Sequence, residues 1–345
     1  YLSGHARADA TREDIERALY VDRSVVRQLA MRRTVFAFPR DLLPAVWGSA
    51  SARVFAQLSA RLAKEVETNA LAQDGPSWVR DACAAVVEQL RVEAATTMQL
   101  RERIPVLDLR LQMSPGKSYG GEFPIAPRVL STLAAAGVIV RGLNDGGWKT
   151  SRPFWTTTED WLGTAPEPVE ERDGYAELVR RWLWTFGPGT EADIVWWLGA
   201  TKGVVRRALA DVAAVKVELA DETSAWLHPD DTEEILVPEP WAALLPALDP
   251  TTMGWKERGF YLGEHAERIF DRNGNGGPTA WWNGRIVGGW TQRDDGTVVV
   301  VPADGWPHGA RQALEAEAAR LTTWLDGDVV RSIYQSPMIR ELAPS

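Results

Sequence analysis

Thr190-Glu-Ala-Asp-Ile-Val-Trp-Trp-Leu-Gly-Ala-Thr-Lys-Gly-Val-Val-Arg-Arg-Ala-Leu-Ala-Asp-Val212 is the stretch that decides the fold. After the break at Pro188-Gly189, Thr190-Glu191-Ala192-Asp193 opens one helix, and Thr201 to Val212 reads as another. Upstream, Tyr175, Leu178, Val179, Trp182, Leu183 and Phe186 recur at helical spacing, so Gly174 to Phe186 is expected to be a helix with a full apolar face. Downstream, Val215 to Leu219 and Ala225 to Leu227 read as paired strands. In the helix ending at Val212, Val205, Ala208, Leu209 and Val212 face the core, which turns Lys202, Arg206 and Arg207 outward. Helices running into a hairpin, with a basic face on the last helix, outline a winged helix-turn-helix; that helix is a common device for entering a DNA groove.

The same outline recurs upstream. Thr11-Arg-Glu-Asp14 resembles a capping box, Ile15, Ala18 and Leu19 give a stripe behind it, and Val25 to Phe38 is rich in β-formers turned at Met31-Arg32-Arg33. Asp41 to about Ala72 reads as helix. Ser77 to Leu90 is amphipathic, Thr96-Thr-Met-Gln99 starts a short helix that Pro105 limits, and Ser114 to Gly121 reads as a loop. Ile125 to Ala136 is a candidate recognition helix, with a wing predicted at Val138–Val140 and Gly147–Lys149. Thr164 to Asp173 reads as a linker. In the C-terminal third, Asn283-Gly284 and Asp294-Asp-Gly296 mark two hairpins, Gly309 to Leu325 a helix, and Val329 to Ile333 a last strand. The expected fold class is α+β: three tandem winged helix-turn-helix units followed by a small β-rich C-terminal domain. The expected boundaries are 1–72 (a first unit, incomplete at its N-terminus, and the helix after it), 73–163, 173–228 and 229–345. Tyr1-Leu2-Ser3 does not read as a natural beginning, and residues upstream of it are expected.

The 345 residues carry 38 Lys+Arg against 47 Asp+Glu, a net charge of −9. Taken whole, that opposes binding to a polyanion. The signs are segregated, however. Residues 22–40 hold Arg23, Arg27, Arg32, Arg33 and Arg40 against Asp22 alone, and residues 101–152 also carry a basic excess, whereas 157–173 and 229–249 are acidic. An acidic chain patterned in this way can still present a basic face. The single cysteine, Cys83, rules out an internal disulfide and a cysteine-based zinc site, and its apolar helical setting points to packing. No apolar run approaches the ~20 residues of a membrane-spanning helix.

Asp271-Arg-Asn273-Gly-Asn275-Gly276 matches the first half of a calcium loop, but Trp282 stands where the bidentate carboxylate is needed. The four histidines are scattered, and neither a Gly-x-x-x-x-Gly-Lys loop nor a Gly-x-Gly-x-x-Gly turn is present. No metal, cofactor or nucleotide is therefore expected. The 17 tryptophans read first as core; the other reading, for Trp281, Trp282 and Trp290 above all, is a surface on which bases stack.

Three segments carry a resemblance: Val26-Arg-Gln-Leu-Ala-Met-Arg-Arg-Thr-Val-Phe36, Leu245-Pro-Ala-Leu-Asp-Pro-Thr-Thr-Met-Gly-Trp-Lys-Glu-Arg258 and Pro278-Thr-Ala-Trp-Trp-Asn-Gly-Arg-Ile-Val-Gly-Gly-Trp290. Together they resemble the AlkZ/YcaQ-like family of winged-helix DNA glycosylases, over almost the whole chain. The resemblance implies tandem winged helices around a concave DNA-binding face and removal of bulky alkylated purines by hydrolysis of the N-glycosidic bond. It also implies a Gln-x-Gln or Gln-x-Asp catalytic motif just ahead of the segment matching Tyr1-Leu2-Ser3, so no residue here inherits that role. Among the residues present, Asp249 and Glu257 are the catalytic candidates. Lys117, Arg128, Lys149, Arg152, Lys202, Arg206 and Arg207 are the expected phosphate contacts. The expected partner is double-stranded DNA, bound by a monomer in the cytoplasm, at the nucleoid. The alternative is a non-enzymatic winged-helix transcriptional regulator.

Overall fold

A computed structural model describes residues 1–113, 116, 120–331, 334 and 336–342. The chain opens with α1 (Leu2–Ala8) and α2 (Arg12–Glu16), which runs on as a π-helical turn to Val21. A hairpin follows, β1 (Val25–Leu29) against β2 (Val35–Pro39), with Leu29 opposite Val35. Next come α3 (Leu43–Val46) and, through a wide helical turn at Trp47–Ser51, α4 (Ala52–Thr68), close to the single helix that the sequence predicts. α5 (Gly75–Val92) and α6 (Thr97–Arg103) precede the hairpin of β3 (Arg110–Met113) and β4 (Gly121–Pro124), then α7 (Ala126–Ala135). β5 (Ile139–Asn144) pairs with β6 (Pro153–Thr157), and α8 (Thr158–Leu162) closes this part.

Two expectations fail here. The strand that pairs with β5 is Pro153–Thr157, not the expected Gly147–Lys149, because Trp155 is buried and is bridged on its other side to Ala95. Of the segment from Ser114 to Gly121, expected as loop, residues 114, 115 and 117–119 lie outside the described residues, and Gly121 begins β4.

α9 (Glu171–Phe186) starts inside the supposed linker and is followed by α10 (Glu191–Leu198), α11 (Lys202–Asp211) and the hairpin of β7 (Val215–Glu218) and β8 (Ser224–Leu227). The remainder supplies β9 (Ala242–Leu245), α12 (Gly259–Leu262), α13 (Ala266–Ile269), β10 (Thr279–Trp282), β11 (Arg285–Gln292), β12 (Val298–Pro302), α14 (Ala310–Leu325) and α15 (Pro337–Leu342). Its sheet is antiparallel in the order β12-β11-β10-β9. Asn283 and Gly284 make the two-residue turn with φ of 47° and 77°, the left-handed pair that the Asn-Gly signal requires. The expected strand at Val329–Ile333 is not formed at residues 329–331: the Val330 N–H goes to Gln292 Oε1 (2.7 Å) instead of to a neighbouring strand. Ile333 lies outside the described residues. The chain is thus α+β, with small antiparallel sheets among helices.

Contacts divide the chain into two compact units. One consists of Glu16–Arg181 and Leu198–Ala213. Its core gathers Leu62 and Val66 of α4, Val79, Val86 and Leu90 of α5, Leu100 of α6, and Val129, Leu130 and Leu133 of α7, with Trp155 of β6. Cys83 of α5 packs at the edge of this core, and burial pushes its thiol up to about 11. The other unit consists of Tyr1–Ile15, Trp182–Trp197 and Ala214–Ser345. In it Tyr261, Ile269, Trp281, Ile286 and Met338 form one core. Trp281 and Trp290 are buried, their indole N–H groups bound to Thr279 Oγ1 and the Leu245 carbonyl, so core packing accounts for both. Trp182 of α9 is 1% exposed and packs against the chain at Gly189, where a Cβ would come 2.2 Å from its ring; only glycine fits there.

Three stretches distant in sequence meet in this second unit, and buried carboxylates tie them. Thr190 and Asp193 cap α10 reciprocally: Asp193 Oδ2 accepts from Thr190 N (2.9 Å), and Thr190 Oγ1 accepts from Asp193 N (3.1 Å). Asp193 Oδ1 accepts from the backbone N–H of both Lys256 and Glu257 at 2.8 Å. Asp193→Ala leaves these donors without a partner, and a loss of about 2–4 kcal/mol in unfolding free energy is expected by urea denaturation. A loss below about 0.5 kcal/mol would mean that the N–H groups find other acceptors. For Cys83, the expectation is labelling at pH 8 by a disulfide reagent about 10- to 100-fold slower in the native protein than in the urea-unfolded chain; equal rates would contradict the buried setting.

Candidate nucleic-acid interface

α11 is built to present charge. Thr201 caps it, its Oγ1 accepting from Val204 N, while Val205, Ala208 and Leu209 are buried and Lys202, Arg206 and Arg207 are exposed on the opposite side. Asp211, in the last turn, sits badly with the negative end of the helix dipole. Arg172 of α9 offsets this by gripping both of its oxygens at 2.5 and 2.9 Å, and that hydrogen bonding holds the Asp211 carboxyl below its usual range. Arg207 lines a small cavity with Glu171, Arg172, Tyr175 and Asp211. At the other end of α11, Gly199 (φ 62°) abuts the β1–β2 turn: a Cβ there would lie 3.4 Å from Arg32 Cγ.

Lys149 and Arg152 are exposed in the excursion between β5 and β6, which the Asp145 N–H closes onto the Arg152 carbonyl at 2.7 Å. Arg128 lies on α7 and is not projected into solvent. It is 28% exposed, ion-paired to Glu65 of α4 at 2.9 Å, and its guanidinium also meets the Met113 sulfur. Lys117 lies outside the described residues.

The basic stretch 22–40 is largely structural. Arg23 stacks on the Trp161 ring at 4.2 Å and donates to the Trp161 carbonyl. Arg27 donates to the Gly142 carbonyl (2.5 Å) and Arg40 to that of Leu162 (2.7 Å). This leaves Arg32 and Arg33, in the turn beside Gly199, as the two arginines of the stretch not committed to those carbonyls. Arg33 shares a cavity with Arg61, Glu65 and Arg128. Sequence reasoning missed that grouping. The i,i+4 pairing of Arg61 with Glu65 is legible, but nothing local indicates that Arg33 and Arg128 join it.

The two catalytic candidates have opposite environments. The Asp249 side chain is 0% exposed. It accepts from Arg7 Nη2 (2.5 Å) and Nη1 (2.9 Å), Ser3 Oγ (2.7 Å) and Thr251 N (2.9 Å), which joins α1 to the turn after β9. Glu257 is 63% exposed and lies 3.5 Å from Lys256 Nζ. Its own N–H is held by Asp193. The Asp271 loop is closed internally, its carboxylate accepting from Asn273 N, Asn275 N and Asn275 Nδ2. Among the described residues no group of three or more His, Cys, Asp or Glu side chains could hold a metal, and no helix is long and apolar enough to cross a membrane.

Comparison with known proteins places this architecture. The family described as DNA glycosylase AlkZ-like matches residues 1–324. The solved structure of Streptomyces sahachiroi DNA glycosylase AlkZ is similar in fold, with a TM-score of 0.70 at 21% sequence identity, over 94% of this chain and 84% of that one. No match is found among curated proteins. The match over residues 1–324 settles the family: the chain belongs to the AlkZ-like DNA glycosylases.

Proposed function

We propose that the protein is a monofunctional DNA repair glycosylase that hydrolyses the N-glycosidic bond of bulky N-alkylated purines in double-stranded DNA. Membership of the DNA glycosylase family over residues 1–324 carries this reading. The helix-then-hairpin segments within 1–72, 73–163 and 173–228 act as tandem winged helices, and residues 229–345 as the domain that completes them. Lys117, Arg128, Lys149, Arg152, Lys202, Arg206 and Arg207 contact backbone phosphates. The protein works as a monomer without a nucleotide cofactor, at the nucleoid.

The chemistry asks little of acid catalysis. A purine alkylated at N7 is already a cationic leaving group, so its departure needs no proton. What remains is to place a water and to stabilise positive charge growing on the sugar, work suited to a carboxylate or amide close to the sugar. Of the two candidates, Glu257 has the accessible carboxylate, whereas all the donors around Asp249 already engage its buried one.

Incubated with duplex DNA carrying N7-alkylguanine, the protein is expected to release the modified base and leave an abasic strand, cut on heating in alkali. No release across a series of adducts of increasing bulk would defeat the glycosylase reading. The interface is tested separately. The double change Arg206→Ala/Arg207→Ala is expected to weaken binding to all duplex sequences alike and to flatten the plot of log affinity against log salt by about two units. An unchanged slope would remove the exposed side of α11 from the DNA contact.

A further inference from the structure

The turn Met31-Arg32-Arg33 between β1 and β2 holds two consecutive non-glycine residues in the left-handed region, Arg32 at φ 54° and Arg33 at φ 59°. For an L-residue with a Cβ this conformation is strained, and tight hairpin turns commonly use Asn or Gly to avoid it. A strained backbone that the surroundings maintain is a reason to ask what the side chain does.

The Arg33 side chain lines a cavity of about 210 Å³ between α4 and α7, together with Arg61, Glu65, Arg128, Ser131 and Thr132. The charges there do not cancel. Glu65 Oε1 accepts from Arg61 Nε at 2.7 Å, and Glu65 Oε2 lies 2.9 Å from Arg128 Nε, so one carboxylate is divided between two guanidiniums. Arg33 is exposed and has no carboxylate partner among the described residues. Three guanidiniums thus face one carboxylate. The two hydroxyls of the cavity wall donate elsewhere, Ser131 Oγ to the Pro127 carbonyl (2.6 Å) and Thr132 Oγ1 to the Arg128 carbonyl (2.9 Å). The donors left to a guest are guanidinium N–H groups, whose fork geometry suits the paired oxygens of a phosphate.

We propose that this cavity is a seat for one backbone phosphate of DNA, with Arg33 and Arg61 as the gripping residues and Glu65 as the counter-charge that offsets the repulsion among the guanidiniums when the seat is empty. The assignment rests on the reading that the protein binds duplex DNA. It is favoured over a free anion by position. The turn bearing Arg33 adjoins Gly199 through Arg32, and Lys202 begins α11 just beyond, so a strand reaching the cavity continues toward a second basic surface of the same unit.

Arg33→Gly is the informative variant, because glycine accepts the left-handed φ and removes the guanidinium without straining the turn. Its melting temperature is expected to equal or exceed that of the wild type. Its duplex affinity at about 100 mM salt is expected to fall about 5- to 10-fold, with a salt slope lower by about 0.9. Adding Arg61→Gln should weaken binding further and leave the slope near that of Arg33→Gly, since the seat holds a single phosphate. If the wild type binds duplex and both variants keep its affinity and slope, the seat is overturned and DNA binding stands. If the wild type binds no duplex at any salt, both readings fall. Titration with inorganic phosphate separates the sources: saturation that Arg33→Gly abolishes, with an unaltered DNA salt slope, would make the cavity a free-phosphate site and overturn the DNA assignment.

Discussion

Two buried carboxylates make one body out of three separate stretches of chain. Asp193, on the second helix of the 171–227 segment, holds the N–H groups of Lys256 and Glu257, and Asp249, just beyond the first strand of the C-terminal sheet, holds Ser3 and Arg7 of the opening helix. A carboxylate taken out of water is destabilising unless its oxygens find donors, and each of these finds several. The strength of such a joint lies in the asymmetry of its removal. Losing the acceptor leaves backbone donors unsatisfied in a dry interior, whereas the intact set is worth only a modest net amount. Both residues therefore act as structural clasps, and the segments that they clasp, 245–258 and the opening helix, are held to one another through them.

Arginine plays the complementary part in the other unit. Arg23, Arg27 and Arg40 donate to main-chain carbonyls of the β5–β6 hairpin and the short helix after it, and Arg141 lies over the Trp155 ring at 4.7 Å. Burial, with Arg27 nearby, lowers the pKa of Arg141 from its ordinary value. A local excess of positive charge in a sequence can thus be internal mortar as readily as an outer surface. A guanidinium has five donors and a flat apolar face, which allows it to satisfy a carbonyl and an indole at once.

These two facts explain what was legible in the sequence and what was not. The helices from Glu171 to Asp211 could be read because their signals are local: an apolar face at helical spacing and threonine caps at Thr190 and Thr201. The Asn283-Gly284 hairpin could be read for the same reason. The wing strand was misplaced by several residues because Gly146-Gly147 looks like a tight turn, whereas the chain makes a longer excursion until Trp155 can reach its buried site. The cavity of Arg33, Arg61 and Arg128 could not be read at all, since its members come from a turn and two helices whose approach is decided by the core between them. Nor could the burial of Asp249. In sequence it is one acid in an acidic run, and the partners that distinguish it, Ser3 and Arg7, stand 246 and 242 positions away.

An acidic molecule that grips a polyanion works against its own long-range field, so the grip has to be short-range and local. Net charge sets the background repulsion; a few guanidiniums within about a Debye length of the phosphates set the contact. That division gives an arginine in a strained turn a rationale. Spreading many lysines over the surface would raise affinity for any nucleic acid, and with it the time lost on undamaged sequence. On the proposed reading, a small number of fixed arginines keeps non-specific affinity low while fixing the register of the duplex. On the proposed reading the alkylated purine takes the bonding pair and departs as a neutral base without acid help, so register is what is left for the protein to supply. A modest loss of stability at Arg32-Arg33 is small beside the cost of a sugar held out of line with its water.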